Sequence, residues 1–124
     1  MTVFLQGKAA YKRWADDFSK PDHARGLGDA YCLGIYSSCR AQAGPFLRGI
    51  AADYPNVADI LTEAARNFDN EAECLAKLLP LLGWTSPERD AERNEKAAVL
   101  LREAAGFYGA AIDLLSTAID KMRP

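Results

Sequence analysis

Apolar residues recur every three or four positions over most of this chain, which is the period of an amphipathic helix. In the C-terminal part the steps alternate between four and three residues, as in a heptad seam. An earlier seam runs from Val57 to Leu82 with one extra step of four after Phe68, which locally relaxes a supercoil. No run of β-branched residues alternates as a strand would. The pattern therefore predicts an all-α fold. The C-terminal seam consists of Ala97, Leu101, Ala104, Tyr108, Ala111, Leu115, Ala118 and Met122.

Prolines, glycines and capping residues divide the chain into segments. Asp29 and Asn56 are good N-cap residues, and Gly83 suits a left-handed C-cap. The sequence Thr85-Ser86-Pro87-Glu88 is typical of a capping box with proline in the first turn. The predicted helices cover residues 8–19, 29–53 and 56–82, and a fourth runs from residue 85 or 86 to 122.

The connections after the second and third helices are short, which favours antiparallel neighbours. We therefore expect one domain over residues 1–124, an up-and-down antiparallel bundle of three long helices plus a shorter N-terminal one. Pro45 and Pro80 fall inside helical patterns and predict a kink or local break. A strand is expected for at most a residue or two near Thr2–Leu5.

Counting residues back from the loops places several polar and aromatic side chains at similar heights in the bundle. The first helix folds back beside the second, and Glu71 faces Arg40 across the pair formed by the second and third helices. One interpretation is a pocket for a small ligand, for which aromatic residues with one arginine suit an organic acid. The other interpretation is an ordinary ion pair at the edge of the core. The candidate ligand-binding residues are Tyr11, Trp14, Tyr36, Arg40, Glu71 and Tyr108.

Composition narrows the class of protein. The 124 residues are 49% hydrophobic and 26% charged, enough for one domain with a real core. Fifteen Lys and Arg against seventeen Asp and Glu give a net charge of -2, which argues against nucleic-acid binding. No apolar run is long enough to span a bilayer, and the N-terminal run is too short for a signal peptide. We expect a cytoplasmic protein with no membrane partner.

The residues that usually carry chemistry are few. Cys32, Cys39 and Cys74 fall at or near inward positions, and their odd number favours reduced, metal-free thiols. His23 is the single histidine, and neither a CxxC pair nor a Glu-x-x-His element is present. The sequence thus predicts no metal, no cofactor and no catalytic constellation.

Helix lengths bear on assembly. An unbroken helix over residues 86–122 would span about 55 Å, whereas residues 57–82 would span about 39 Å. The excess would leave an apolar stripe uncovered, unless the helix breaks near Gly106 or Gly109 or the N-terminal Val3–Leu5 segment covers it. We therefore expect a two-fold homodimer with Leu115 and Ile119 in the interface.

Two stretches of the chain resemble a known family. Residues 7–14, GKAAYKRW, and residues 36–48, YSSCRAQAGPFLR, are similar to the helical region of certain bacterial proteins. These form the butirosin-biosynthesis-protein-H-like family, in which a papain-like part precedes a helical C-terminal domain. The resemblance implies a helical accessory, substrate-covering or oligomerisation module without the catalytic cysteine and histidine. The matching residues, which it assigns to core and pocket lining, are Tyr11, Trp14, Tyr36, Arg40, Phe46 and Leu47.

Three functional hypotheses follow. The first is a non-enzymatic bundle that works through association, with itself or with a companion domain. The alternative is a bundle that binds a small molecule in the aromatic and arginine pocket. A third is a redox or metal protein that uses Cys32, Cys39 and Cys74. The apolar seams do not distinguish these three hypotheses, because each hypothesis uses the seams in the same way, to fill the core.

Overall fold

The protein is described by a computed structural model that covers residues 6–123. It contains four α-helices: α1 (Gly7–Phe18), α2 (Leu27–Ala51), α3 (Ala58–Leu82) and α4 (Ala91–Met122). Over this range β-structure amounts to an isolated bridge between Ala24 and Arg89. The predicted all-α bundle with a shorter N-terminal helix is confirmed. The strand residues allowed at Thr2–Leu5 lie outside the described residues.

The helices pack in a definite order. α4 lies against both α1 and α3, and α3 lies against α2. Within residues 6–123 the backbones of α1 and α2 do not pack on each other. One side of the bundle is therefore open, between the first two helices.

Two adjoining groups of buried side chains fill the interior. The first joins all four helices around Phe18, Leu33 and Leu75, and the second joins α2, α3 and α4 around Leu61 and Phe68. Most seam positions of α3 and α4 are buried as predicted, although Leu79 and Met122 are exposed. The helical period thus identified the core correctly for the two central helices.

The inward positions predicted for Cys32 and Cys39 are wrong, because both thiols are exposed and only Cys74 is buried. The reason is the packing order. The backbone of α2 packs closely on that of α3 alone, so a smaller part of its surface is covered than in a helix that lies between two close neighbours.

The starts of α2 and α3 differ from the prediction. α2 begins two residues before Asp29, with Gly26 at the N-cap, and the Asp29 carboxylate accepts the backbone N–H of Gly26 at 2.7 Å. Asp29 therefore caps from inside the first turn rather than from the cap itself. α3 begins at Ala58, and its N-cap residue is Val57 instead of the predicted Asn56. Val57 is buried in the core, which fixes that position by packing.

The connection between α3 and α4 is longer than predicted. Gly83 has φ -67° and ψ 175°, an extended conformation and not a left-handed one. α4 begins at Ala91, where Asp90 caps it by accepting the N–H of Arg93 at 3.0 Å. The predicted capping box at residues 85–88 is therefore wrong. Its place is taken by a loop whose carbonyls at Pro87 and Glu88 each accept from Arg93 at 2.9 Å.

Neither internal proline ends its helix. α2 continues through Pro45 and α3 through Pro80. Both prolines are exposed, so the carbonyl that loses its helical donor lies near water. Pro80 also lies in the last turn of its helix, where few hydrogen bonds remain to be lost.

The apolar face of the C-terminal half of α4 is covered except in its last turn. α4 starts later than predicted, so it is shorter than expected, and it continues through Gly106 and Gly109 without the break that the sequence analysis left open as an alternative. Ala111 and Ala118 are buried, and Leu115 is half-buried against the same core group. Ile119 remains 50% exposed. The uncovered stripe is thus confined to the last turn.

Among residues 6–123, no helix is both long enough and apolar enough to cross a membrane.

Candidate functional site

The opening between α1 and α2 contains a cavity of about 380 Å³. Its walls come from both helices and from α4. Five of the six predicted ligand-binding residues line it, namely Tyr11, Trp14, Tyr36, Arg40 and Tyr108. The sixth, Glu71, is fully buried behind them. The structure therefore brings together every residue of the predicted set.

Four aromatic rings form the apolar part of the cavity wall. The ring of Tyr11 lies 6.4 Å from those of Trp14 and Tyr36, centroid to centroid. It lies 5.4 Å from the ring of Tyr108. Trp14 and Tyr36 meet edge to face at 6.1 Å. Helical spacing brings two of the rings together, because Tyr11 and Trp14 are three residues apart on one face of α1. The rings of Tyr36 and Tyr108 come from α2 and α4.

A buried polar network lies beneath the rings. The Tyr11 hydroxyl donates to Oε2 of Glu71 at 2.5 Å, and Nε of Arg40 donates to the same oxygen at 3.1 Å. Oε1 of Glu71 lies 3.0 Å from that nitrogen but accepts no hydrogen bond in the described part of the chain. The carboxylate thus joins α1, α2 and α3 at one point.

Burial sets the protonation of this network. Burial raises the pKa of Glu71, and the hydrogen bond from Tyr11 and the charge of Arg40 oppose that increase in part. Burial, followed by the hydrogen bond to Glu71, raises the pKa of Tyr11 well above its ordinary value. Tyr11 is therefore a neutral hydrogen-bond donor at any physiological pH.

Arg40 is the cationic group that lines the cavity, and the carboxylate of Asp29 lines it as well. The side chain of Arg40 is 23% exposed, and its guanidinium carbon lies 5.0 Å from the ring centroid of Tyr108 and 5.6 Å from that of Tyr36. These are cation–π distances. Within residues 6–123, neither terminal nitrogen of Arg40 donates to a protein acceptor. One edge of the guanidinium is held by Glu71, and the other is available.

The rim of the cavity is held by Asp29, whose role the sequence did not indicate. Its Oδ1 accepts the indole N–H of Trp14 at 2.8 Å, while Oδ2 accepts the N–H of Gly26. Gly7, at the start of α1, has φ +59°, and a Cβ there would lie 3.5 Å from the Tyr108 hydroxyl. The signal that could have indicated Asp29 is the indole N–H of Trp14, because such a group needs a hydrogen-bond acceptor when it is partly buried.

The cysteine hypothesis gains no support from the geometry. All three thiols are free, and Cys74 contacts Glu103 at 3.9 Å. Across the described residues, no three His, Cys, Asp or Glu side chains are grouped as metal ligands would be. The imidazole of His23 packs edge-on against Phe18 with a centroid distance of 4.5 Å. Cys32 lines the cavity, and among residues 6–123 no other cysteine lines it.

Comparison of the chain with models of protein families, with curated proteins and with solved structures finds no match. The resemblance to the butirosin-biosynthesis-protein-H-like family therefore stays an expectation from the sequence.

Proposed function

We propose that this protein is a small-molecule-binding helical bundle that holds the carboxylate of a small aromatic acid on Arg40. The observation that carries the proposal is the free edge of the Arg40 guanidinium, which faces a cavity of about 380 Å³ walled by aromatic rings. Cavities of this size, mostly apolar with a few fixed polar groups, are typical of ligand sites.

The charged half of the site supports an anionic ligand. A guanidinium presents parallel N–H groups that match the two oxygens of a carboxylate. Because Glu71 already accepts from Nε, the two terminal nitrogens are oriented without being used. The fixed guanidinium lowers the entropy that binding would otherwise cost.

The apolar half supports an aromatic group. Trp14, Tyr36 and Tyr108 offer ring faces and edges at spacings of 5 to 7 Å from Tyr11 or from one another, the range in which aromatic groups stack or meet edge to face. An aliphatic acid would fill this volume with fewer contacts. The proposed ligand therefore combines a planar ring with a carboxylate.

The test compares acids with their own neutral amides. Phenylacetate and 4-hydroxybenzoate, each beside its primary amide, are titrated into the protein by calorimetry. Each acid should bind at least tenfold more tightly than its amide. In a Trp84→Phe background, Trp14 is the remaining tryptophan, and its fluorescence should change on binding of phenylacetate.

Arg40→Lys keeps a positive charge beside Glu71 but removes the guanidinium group. It should weaken binding of the acids tenfold or more and leave the affinity for the amides unchanged. Arg48→Lys is the matched control, since Arg48 lies two turns further along α2 and pairs with Asp69 outside the cavity. Equal affinity for acid and amide, or an equal loss in both variants, would refute the proposal.

A reducing compartment is part of the same proposal. Cys32 and Cys39 are exposed free thiols, and such groups persist where glutathione keeps them reduced. We therefore propose a cytoplasmic location.

A further inference from the structure

The wall that α2 contributes to the cavity has a charged group at each end. Four side chains of α2 line the cavity at spacings of three, four and four residues, which places them on one face of the helix. In chain order they are Asp29, Cys32, Tyr36 and Arg40. This row of side chains therefore begins with a carboxylate and ends with a guanidinium.

The two charged groups are well separated along the helix. Side chains of a helix lean toward its N-terminus, and the guanidinium carbon of Arg40 accordingly lies 5.6 Å from the ring centroid of Tyr36, one turn earlier. Asp29 precedes Tyr36 by seven residues, which is about 10 Å along the helix axis. The indole of Trp14, which donates to Asp29, meets the ring of Tyr36 at 6.1 Å. Aromatic rings thus fill the wall between the two charges.

The carboxylate of Asp29 keeps part of its hydrogen-bonding capacity. Its two hydrogen bonds come from neutral donors, the indole N–H of Trp14 at 2.8 Å and the backbone N–H of Gly26 at 2.7 Å. An ionised carboxylate can accept about four hydrogen bonds, so each oxygen has an acceptor position left. Within residues 6–123, Asp29 forms no ion pair with a lysine or an arginine. A cationic group in the cavity would find both a charge and an acceptor there.

We propose that the ligand is an aromatic ω-amino acid, with its carboxylate on Arg40, its ring against Trp14 and Tyr36, and its ammonium group on Asp29. This inference rests on the function proposed above and adds a second charged group to the ligand. The ammonium group donates to the acceptor positions that Trp14 and Gly26 leave on the carboxylate.

Electrostatics favour this ligand over a simple aromatic acid. An acid without an amino group brings a second negative charge into a cavity that Asp29 already lines. An ω-amino acid adds no net charge, and each of its charges meets the opposite one. An α-amino acid holds both charges on one carbon, so it cannot reach both ends of a row about 10 Å long. The separation of Asp29 and Arg40 therefore selects charges at opposite ends of the ligand.

Calorimetry with two matched ligands tests the proposal. In 4-propylbenzoate a methyl group replaces the ammonium group of 4-(2-aminoethyl)benzoate, and the rest of the molecule is the same. At neutral pH the wild-type protein should bind 4-(2-aminoethyl)benzoate at least tenfold more tightly than 4-propylbenzoate. It should also prefer 4-(2-aminoethyl)benzoate to phenylalanine by at least tenfold.

Asp29→Asn removes the charge at the far end of the cavity. This variant should lose the preference for 4-(2-aminoethyl)benzoate and keep its affinity for 4-propylbenzoate within about twofold, since the latter is held by Arg40. Asp22→Asn is the matched control, because Asp22 is an exposed acidic residue of the loop before α2 and does not line the cavity. The control should keep the tenfold preference.

The exposed thiols of α2 report where the ligand lies. Cys32 lines the cavity between Asp29 and Tyr36, whereas Cys39 is exposed outside it. Saturating 4-(2-aminoethyl)benzoate should slow the alkylation of Cys32 by iodoacetamide at least tenfold and leave that of Cys39 unchanged, as measured by peptide mass analysis.

The outcomes separate this inference from the function on which it rests. Equal affinity for the two benzoates, an equal loss of both in Asp29→Asn, or unprotected Cys32 at saturation overturns the ω-amino acid and leaves the aromatic acid on Arg40 in place. If the wild-type protein binds neither benzoate and does not bind phenylacetate, both proposals are refuted.

Discussion

Glu71 is the residue on which the geometry of the cavity depends. It is fully buried, and it accepts hydrogen bonds from Tyr11 on α1 and Arg40 on α2. A buried carboxylate is expensive unless it is paired, so the three side chains hold one another in place. Arg40 points its free edge into the cavity because its other edge is occupied by Glu71.

The pKa of Glu71 makes stability depend on pH. In the unfolded chain a glutamate has a pKa of about 4.3, and in the folded protein burial raises that of Glu71. Above about pH 4.3 the unfolded state releases this proton before the folded state does, so stability falls as the pH rises through the window between the two pKa values. Below that window both states are protonated and no penalty applies.

We therefore expect the free energy of unfolding of the wild type, minus that of Glu71→Gln, to decrease as the pH is raised from 3.5 toward neutrality. Urea titrations at several pH values measure this difference. Tyr11→Phe removes a hydrogen bond that lowers the pKa of Glu71, so it should extend the decrease to higher pH. A difference that is flat or that increases with pH would contradict the assignment.

At the scale of the helices and loops, side chains that donate hydrogen bonds to backbone carbonyls connect the loop after α1 to the start of α4. Asn94, near the start of α4, donates from Nδ2 to the carbonyls of Lys20 and His23 at 3.0 Å. Arg25 donates to the carbonyl of Ser86 at 3.0 Å. These bonds fasten the loop after α1 to the start of α4 and the loop before it. They also position the first turn of α2, and with it the rim of the cavity.

Asn94→Ala should lower the free energy of unfolding by about 1–3 kcal/mol, because it removes a buried amide that donates hydrogen bonds to carbonyls of the loop after α1. Asn67→Ala is the control, since Asn67 donates only to the carbonyl of Glu63 one turn earlier in its own helix. That change should alter stability by less than about 0.5 kcal/mol. Equal effects in the two variants would show that Asn94 does not join the loops.

At the scale of the whole molecule, the three thiols differ in how far the bundle must open to expose them. Cys32 and Cys39 are exposed on α2, whereas Cys74 is buried between α3 and α4. Burial also raises the pKa of the Cys74 thiol, which lowers its thiolate fraction. Modification of Cys74 therefore requires opening of the core.

With an excess of a thiol reagent such as Ellman's, we expect two thiols to react in a fast phase and the third in a slow one. Urea well below the unfolding midpoint should accelerate the slow phase, since it favours opening of the core. A Cys74→Ser variant should lose the slow phase alone. Three thiols in the fast phase would contradict the described packing.

The helical period of the sequence predicted the four helices, although not all of their starts, and most of the core of α3 and α4. That information is local, because the helical period is read from residues three and four apart and breakers act on their own turn. Counting along the helices also grouped the candidate site, since at equal rise per residue Arg40 lies near the height of Glu71 and Tyr11 lies near that of Tyr36. The convergence of these residues on one network is what the structure shows.

Tertiary structure alone decided where α4 begins, which cysteines are covered and how far Leu115 is buried. Each depends on residues distant in the sequence. Arg93 reaches back to carbonyls of the preceding loop, and Leu115 is covered by a core group that α2 and α3 complete. The exposure of Cys32 follows from the separation of α1 and α2. An apolar seam in the sequence shows which face of a helix is apolar. The number of other helices that cover this face is set by how the whole chain packs.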